Sequence, residues 1–321
     1  MLKLTRRAVV AGAVAMPFVA RAQFGSVIKI VVPFAPGGSV DIFTRNVQQG
    51  LQQRLGATIV IEYKGGASGS IGAAQAAKSP PDGNTWLFVA DTHALNPALI
   101  PNLSFDTEKD LDPVLLIGTA PNVLAKHPSR GYRSFEDVVN AAKEKPRSIS
   151  FASIGTGSIA YLGMVLLTKR AGIQLTHVGY RGGGPAVADA LGGHVDLIIA
   201  SPGLLTAHLK AGALVPLVQT GSKRMTTFPD IPTAAEVGYP GVEAHTWFGV
   251  FAPSGTPRPI VDRFVLALTE TAREERTARV LSEAQPLDYI MGGPEEFKVF
   301  FTEQMRFWGN LIREEGIRSE T

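Results

Sequence analysis

The residues best equipped for chemistry in this chain are four glycine-rich turns, at 36–39, 65–69, 155–158 and 182–185. Each combines at least two glycine or hydroxyl residues with the start of a helix-forming stretch. Glycine lets a ligand approach the backbone closely, and the helix N-terminus behind it offers unpaired N–H groups and the positive end of a dipole. Several such ends around one cleft hold a carboxylate or a phosphate with no arginine. The plainer alternative is steric, because α/β folds commonly turn on glycine. Four turns of this composition favour anion binding.

Other chemistries find less support. The chain has no cysteine, which excludes disulfides, thiolate metal sites and cysteine nucleophiles. Gly155-Thr156-Gly157 with Ala160 fits the dinucleotide pattern G-x-G-x-x-A. An acid is wanted about 20 residues further on, and 170–188 contains none before Asp189. Neither a G-x-x-x-x-G-K-[ST] loop nor a G-x-S-x-G elbow occurs, and Ser68, Ser153 and Ser158 have no evident base nearby in sequence. His93, His127, His177, His194, His208 and His245 show no metal-binding spacing. Asp106, Glu108, Asp110 and Asp112 alternate as calcium ligands do, but Leu111 and Ile117 stand where that loop needs glycine and a bidentate acid, so a solvated turn is expected. No cofactor, metal or catalytic group is expected.

The turns need elements to position them. Ser26 to Val32 reads as a buried parallel strand, nearly continuous in apolar character. Val40, Phe43, Val47, Leu51 and Leu55 form a helical stripe that Gly56 should stop. Strands follow at Thr58 to Glu62 and Trp86 to Ala90. The grammar repeats at Ser148 to Ala152, Leu175 to Tyr180, Val195 to Ala200 and Val215 to Thr220, with a helix from Ile159 stopped by Gly172. Two α/β units with mixed or parallel sheets are expected. Near the C-terminus, Val261, Phe264, Val265 and Leu268 mark one amphipathic helix, and Phe297, Phe301, Met305, Trp308 and Ile312 another; both stripes suit core packing.

Of the 321 residues, 45% are hydrophobic, enough for a sizeable core. The formal charge of +3 comes from the first segment, where residues 1–22 hold Lys3, Arg6, Arg7 and Arg21 and no acid. Taking those four from 31 basic residues leaves 27 against 28 acidic ones. A body so nearly neutral gives no support for nucleic-acid binding. The early basic residues, the apolar run from Ala8 to Ala20 and Ala20-Arg21-Ala22 make an export signal, with cleavage after Ala22. Thirteen apolar residues fall short of the roughly 20 that span a bilayer. Arg6-Arg7 suits the twin-arginine route, although general secretory leaders also carry paired basic residues. A soluble periplasmic protein is expected.

Val31-Val32-Pro33-Phe34-Ala35-Pro36-Gly37-Gly38-Ser39-Val40-Asp41 resembles the signature loop of Bug-type solute receptors, the extracytoplasmic binding proteins of tripartite tricarboxylate transporters. The similarity continues through Gly66-Ala67-Ser68-Gly69, Pro81-Asp82-Gly83, His93-Ala94-Leu95-Asn96-Pro97, Ser153-Ile154-Gly155-Thr156-Gly157-Ser158, Leu191-Gly192-Gly193-His194 and Pro229-Asp230-Ile231-Pro232. Trp247-Phe248-Gly249 and Ala252-Pro253-Ser254-Gly255-Thr256-Pro257 complete it, in the family's order over essentially the whole mature chain.

The resemblance implies an α/β, two-lobed periplasmic-binding-protein fold of the type II, Venus-flytrap kind. After the leader at 1–22, residues 23–121 with 247–321 would form lobe 1 and residues 122–246 lobe 2. A small organic acid would bind between the lobes, held by Phe34, Pro36, Gly37, Gly38 and Ser39, with Asp41 behind them, and by Ser153, Thr156, Gly157 and Ser158 opposite. His93, Tyr161, Pro185, Ala186, Ala200 and Ser201 complete the expected site. Many members carry His at Tyr161, an acid at Val165 and Asp at Ala200, so a less polar or aromatic carboxylate is easier to place here. The implied partners are the permease subunits of a tripartite transporter, with the receptor a monomer. The same fold could instead serve a signalling partner as a sensor, and an exported enzyme is a further alternative.

Overall fold

The protein is described here by a computed structural model covering residues 24–180 and 182–318. The expected export signal lies outside the described residues. Two mixed sheets organise the chain. The first contains β1 (Val27–Val32), β2 (Thr58–Tyr63), β3 (Thr85–Ala90), β4 (Leu111–Pro121), β10 (His245–Pro253) and β11 (Asp288–Gly292), in the order β11-β4-β10-β3-β1-β2. The second contains β5 (Val123–Lys126), β6 (Ser150–Ser153), β7 (Thr176–Gly179), β8 (Leu197–Ala200) and β9 (Val215–Gln219), in the order β7-β6-β8-β5-β9.

Pairs β1/β2, β1/β3, β6/β7 and β6/β8 are parallel, as β-α-β crossovers require. Strand β10 runs antiparallel between β3 and β4, and β5 runs antiparallel between β8 and β9. These two strands, with β4 and β11, were not apparent in the sequence.

Around the first sheet lie α1 (Ser39–Leu55), α2 (Ser70–Ala77), α3 (Thr92–Leu99), α8 (Arg258–Arg273), α9 (Glu275–Ala284) and α10 (Pro294–Glu314). Around the second lie α4 (Phe135–Glu144), α5 (Ile159–Ala171), α6 (Gly183–Leu191) and α7 (Pro202–Lys210). The α1 stripe of Val40, Phe43, Val47, Leu51 and Leu55 packs with Ile260, Phe264 and Leu268 of α8. Trp86 anchors that layer, stacked on Phe264 with ring centroids 3.7 Å apart. The helix stops where glycine dictates: Gly56 takes φ +67 and returns its N–H to Gln52 O, and Gly172 ends α5 at φ +62.

Helix α10 does not belong to one sheet. Phe297 and Phe301 pack with Trp247 and Phe251 of the first, whereas Trp308, Leu311 and Ile312 share a core with Leu162, Leu166 and Phe151 of the second. The residues expected to lie wholly in lobe 1 therefore end by supporting the other half. Away from α10, the chain passes between the sheets at Asn122 and again at Ala244, and Thr220 at the end of β9 ties the two passages together. Asn122 N–H donates to Thr220 Oγ1 (3.0 Å), Thr220 Oγ1 donates to Ala244 O (2.6 Å), and Asn122 Nδ2 donates to Ala244 O (3.0 Å).

Candidate ligand cavity between the sheets

The loops that follow β1, β3, β6 and β8 face one another at the carboxyl ends of their strands, where α/β sheets bind ligands. They enclose a cavity of about 300 Å³. The N-terminal ends of α1 (Gly38, Ser39, Val40), α3 (Asp91, Thr92), α5 (Ser158, Ile159, Ala160), α6 (Gly183) and α7 (Ser201, Leu204) all reach it. First-turn N–H groups have no carbonyl one turn earlier, so they are free to meet a ligand. Phe34, Ile154 and Phe248 add apolar wall, and no lysine, arginine or histidine lines the cavity among the described residues.

The β1–α1 loop is built to hold its shape. Gly37 takes φ +86, a conformation L side chains avoid, and this turns its N–H onto Asp41 Oδ2 at 2.7 Å. Asp41 also receives Arg45 Nε at 2.8 Å and the Tyr63 hydroxyl. Burial pushes its carboxyl up, but the hydrogen bonds from Tyr63, Gly37 and Arg45 outweigh that and hold it below the usual range. Asp41 thus braces the loop from behind and occupies the Gly37 N–H, so the donors facing the cavity come from the α1 terminus itself.

The β6–α5 loop is braced from below. Ser153 is fully buried, its Oγ 2.8 Å from His177 Nε2 and 3.4 Å from Gly155 O. Ser158 caps α5 by accepting from Tyr161 N–H and donates to Gly155 O at 2.8 Å. Thr156 Oγ1 donates to Arg318 O at 3.1 Å. Gly157 faces the other half of the molecule: a Cβ placed there would lie 3.5 Å from Ser68 Oγ and 3.6 Å from Leu99 Cδ1.

The expected site residues therefore fall into three groups. Phe34, Gly38, Ser39, Ser158 and Ser201 line the cavity. Pro36, Gly37, Asp41, Thr156 and Gly157 belong to the same two loops but do not line it. Ser153, His93, Tyr161, Pro185, Ala186 and Ala200 lie elsewhere. His93 is buried among Phe105, Phe251 and Phe301, which lowers its pKa to about 3. Tyr161 packs with Phe151 and His177, Ala186 and Ala200 are core, and Pro185 is exposed. Because Tyr161 and Ala200 are absent from the lining, as is Val165, these departures do not set the polarity of the cavity. The turn at 65–69 packs under Phe34 rather than entering.

Sequence reasoning missed Asp91, Thr92, Asn122 and Thr246, which with Phe248 form the floor. Asp91 is buried beside the Thr246 side chain and the N–H groups of Thr92 and Trp247, which favour its charged form. Burial nevertheless raises its pKa to about 7. Thr246 Oγ1 also lies 3.2 Å from Asn122 Oδ1, which links the floor to the crossing strands. The one available signal was position, since Asp91 directly follows the expected strand Trp86 to Ala90.

The alternating acids are engaged by groups of their own turn and of the turn after β10. Asp106 accepts from Glu108 N–H, Lys109 N–H and Lys109 Nζ, and Asp112 accepts from Ser254 and Gly255. No group of three or more His, Asp and Glu residues able to hold a metal occurs among the described residues. Nor is any described helix long and apolar enough to cross a membrane.

Comparison with known proteins agrees with this geometry. Residues 43–317 match the profile of the family described as Tripartite tricarboxylate transporter family receptor. Protein BugT of Bordetella pertussis is 33% identical over 293 residues, covering 91% of this chain and 90% of its own. The structure of R. palustris Rpa4515 with adipate superposes with a TM-score of 0.81 at 29% identity, covering 91% of this chain and 97% of that one. The periplasmic binding protein BugD superposes at 0.78, also 29% identical, covering 91% and 98%.

Proposed function

The chain belongs to the receptor family of tripartite tricarboxylate transporters, and from that premise we propose that it captures a small organic carboxylate between its lobes and delivers it to the permease subunits of such a transporter. The observation that carries this reading is the convergence of five helix N-termini, those of α1, α3, α5, α6 and α7, on one cavity of about 300 Å³ lined, among the described residues, by no cationic side chain. Such a cavity selects an anion with backbone dipoles rather than with an ion pair. Adipate in Rpa4515 is a relative's ligand of this class.

The first lobe comprises residues 23–121 with 247–321, and the second residues 122–246, the two rocking about the Asn122–Thr220–Ala244 tie. A ligand touching both lobes favours the closed arrangement, since only differential affinity shifts such an equilibrium. The leader at 1–22 directs the chain to the periplasm by the twin-arginine route and is removed after Ala22, and the receptor acts as a monomer. A hydrolytic role draws no support from the Ser153–His177 pair, because Ser153 is fully buried and does not line the cavity.

The test is thermal unfolding of mature, ligand-stripped protein against mono-, di- and tricarboxylates. A ligand at 100 times its Kd stabilises the native state by about 2.7 kcal/mol and must raise the melting temperature. No shift from any carboxylate would remove the basis of the reading.

A further inference from the structure

The cavity has two poles of opposite sign. Helix N-termini supply the positive pole, those of α1, α5, α6 and α7 together with that of α3, at whose N-cap Asp91 itself stands. The other is Asp91, the only ionisable side chain in the lining among the described residues. It is 6% exposed, and no cationic side chain lines the cavity beside it among the described residues. Burial raises its pKa to about 7, outweighing the neutral Thr246, Thr92 and Trp247 groups that favour the ionised form. Beside it, Thr92 lines the same cavity with a buried Oγ1 that has no hydrogen-bond partner. Asn122 carries no charge, and it is tied to the protein through its amide N–H to Ala244 O and its carbonyl, which accepts from Thr246.

A buried carboxyl with no cation, next to an unpartnered hydroxyl, is left for the ligand to complete. A dianion would place its second carboxylate against Asp91. A plain monocarboxylate would leave Asp91 uncompensated. We propose that Asp91 is the specificity-determining residue of the cavity and pairs with a cationic nitrogen, so that the ligand is an amino-carboxylate whose carboxylate lies at the helix N-termini and whose ammonium lies at Asp91, with Thr92 Oγ1 accepting a further hydrogen bond. This inference rests on the carboxylate-capture reading and narrows it.

The experiment is calorimetric titration of the mature, ligand-stripped protein with pentanoate, glutarate, 5-aminopentanoate and norvaline, before and after Asp91→Asn. One of the two amino-carboxylates should bind the parent protein more tightly than pentanoate or glutarate. Asp91→Asn should weaken it by roughly 30-fold or more, as loss of one partner of a buried charge pair does, while pentanoate changes little. Preference for glutarate, or an unchanged ranking in Asp91→Asn, would overturn the assignment. Proton counting in two buffers of different ionisation heat gives a second readout on the unaltered protein at pH 7. An ammonium arriving at Asp91 expels its proton, whereas a second carboxylate draws one in. His93 on α3 and His245 on β10 are both held neutral by burial and do not contribute. Carboxylates that bind with no advantage for the amino forms would defeat this inference alone, and binding of none would defeat both.

Discussion

Replacing Asp91 with asparagine should change how stability depends on pH, and the structure sets both the direction and the size. The folded Asp91 keeps its proton up to about pH 7, whereas the unfolded residue loses it near its model value of 3.8. Below pH 3.8 both states are protonated and the group contributes nothing. Between 3.8 and 7 the unfolded chain releases a proton that the folded chain retains, so native stability falls as pH rises and then levels off. A shift of about three units corresponds to as much as about 4 kcal/mol across that window. Asparagine does not titrate. Its amide also meets a donor where Asp91 met one, but that penalty is the same at every pH. The quantity to follow is therefore the melting temperature of Asp91→Asn minus that of the parent, measured without ligand from pH 4 to pH 8. At about 2 °C per kcal/mol for a chain of this size, the difference should climb by up to about 8 °C. Parallel profiles would show that Asp91 ionises normally in the folded protein and would refute the argument that burial governs it.

Three further outcomes follow from the two loops and the packing behind them. Gly157→Asp should abolish carboxylate binding in titration while leaving the unliganded melting temperature within about 2 °C, since its side chain projects toward Ser68 and Leu99 and carries the wrong charge for the cleft. Asp41→Asn should weaken binding by roughly tenfold, because it loosens Gly37, Arg45 and Tyr63 together. In the parent protein the bracing carboxyl has a lowered pKa, so affinity should hold above its unfolded value and decline only as acid protonates Asp41. Gly249→Ala should destabilise the fold by about 1–3 kcal/mol or more in denaturant unfolding, because its Cβ would sit 2.2 Å from the Phe297 ring.

The parallel half of each sheet was legible because continuous apolar strands and glycine stops leave local marks. Val27–Val32, the α1 stripe and the stops at Gly56 and Gly172 all depend on neighbouring residues alone. The antiparallel strands were not, and the reason is packing. Gly118 in β4 and Gly249 in β10 interrupt the apolar runs, and each is crowded where a side chain would start: Asp288 O lies 2.6 Å from where a Cβ would sit at the first, the Phe297 ring 2.2 Å at the second. The glycine turns that border the cavity were legible from glycine and hydroxyl composition. The cavity floor was not, because Asp91 is a lone acid with no spacing partner, and its burial depends on β10 returning from 150 residues away. The packing of Tyr161 against His177 and of Ala200 in the core was hidden for the same reason, since which side of a strand end faces the cavity is decided by the other sheet.

The contact between Thr156 and Arg318 offers a place from which closure of the proposed cleft could be read. The backbone just past that helix touches the loop expected to grip the ligand, while the helix itself is anchored in both halves of the molecule. With no native cysteine anywhere in the sequence, a single thiol introduced as Arg318→Cys would take one environment-sensitive dye, whose emission would track each filling and emptying of the receptor without labelling the binding surface itself.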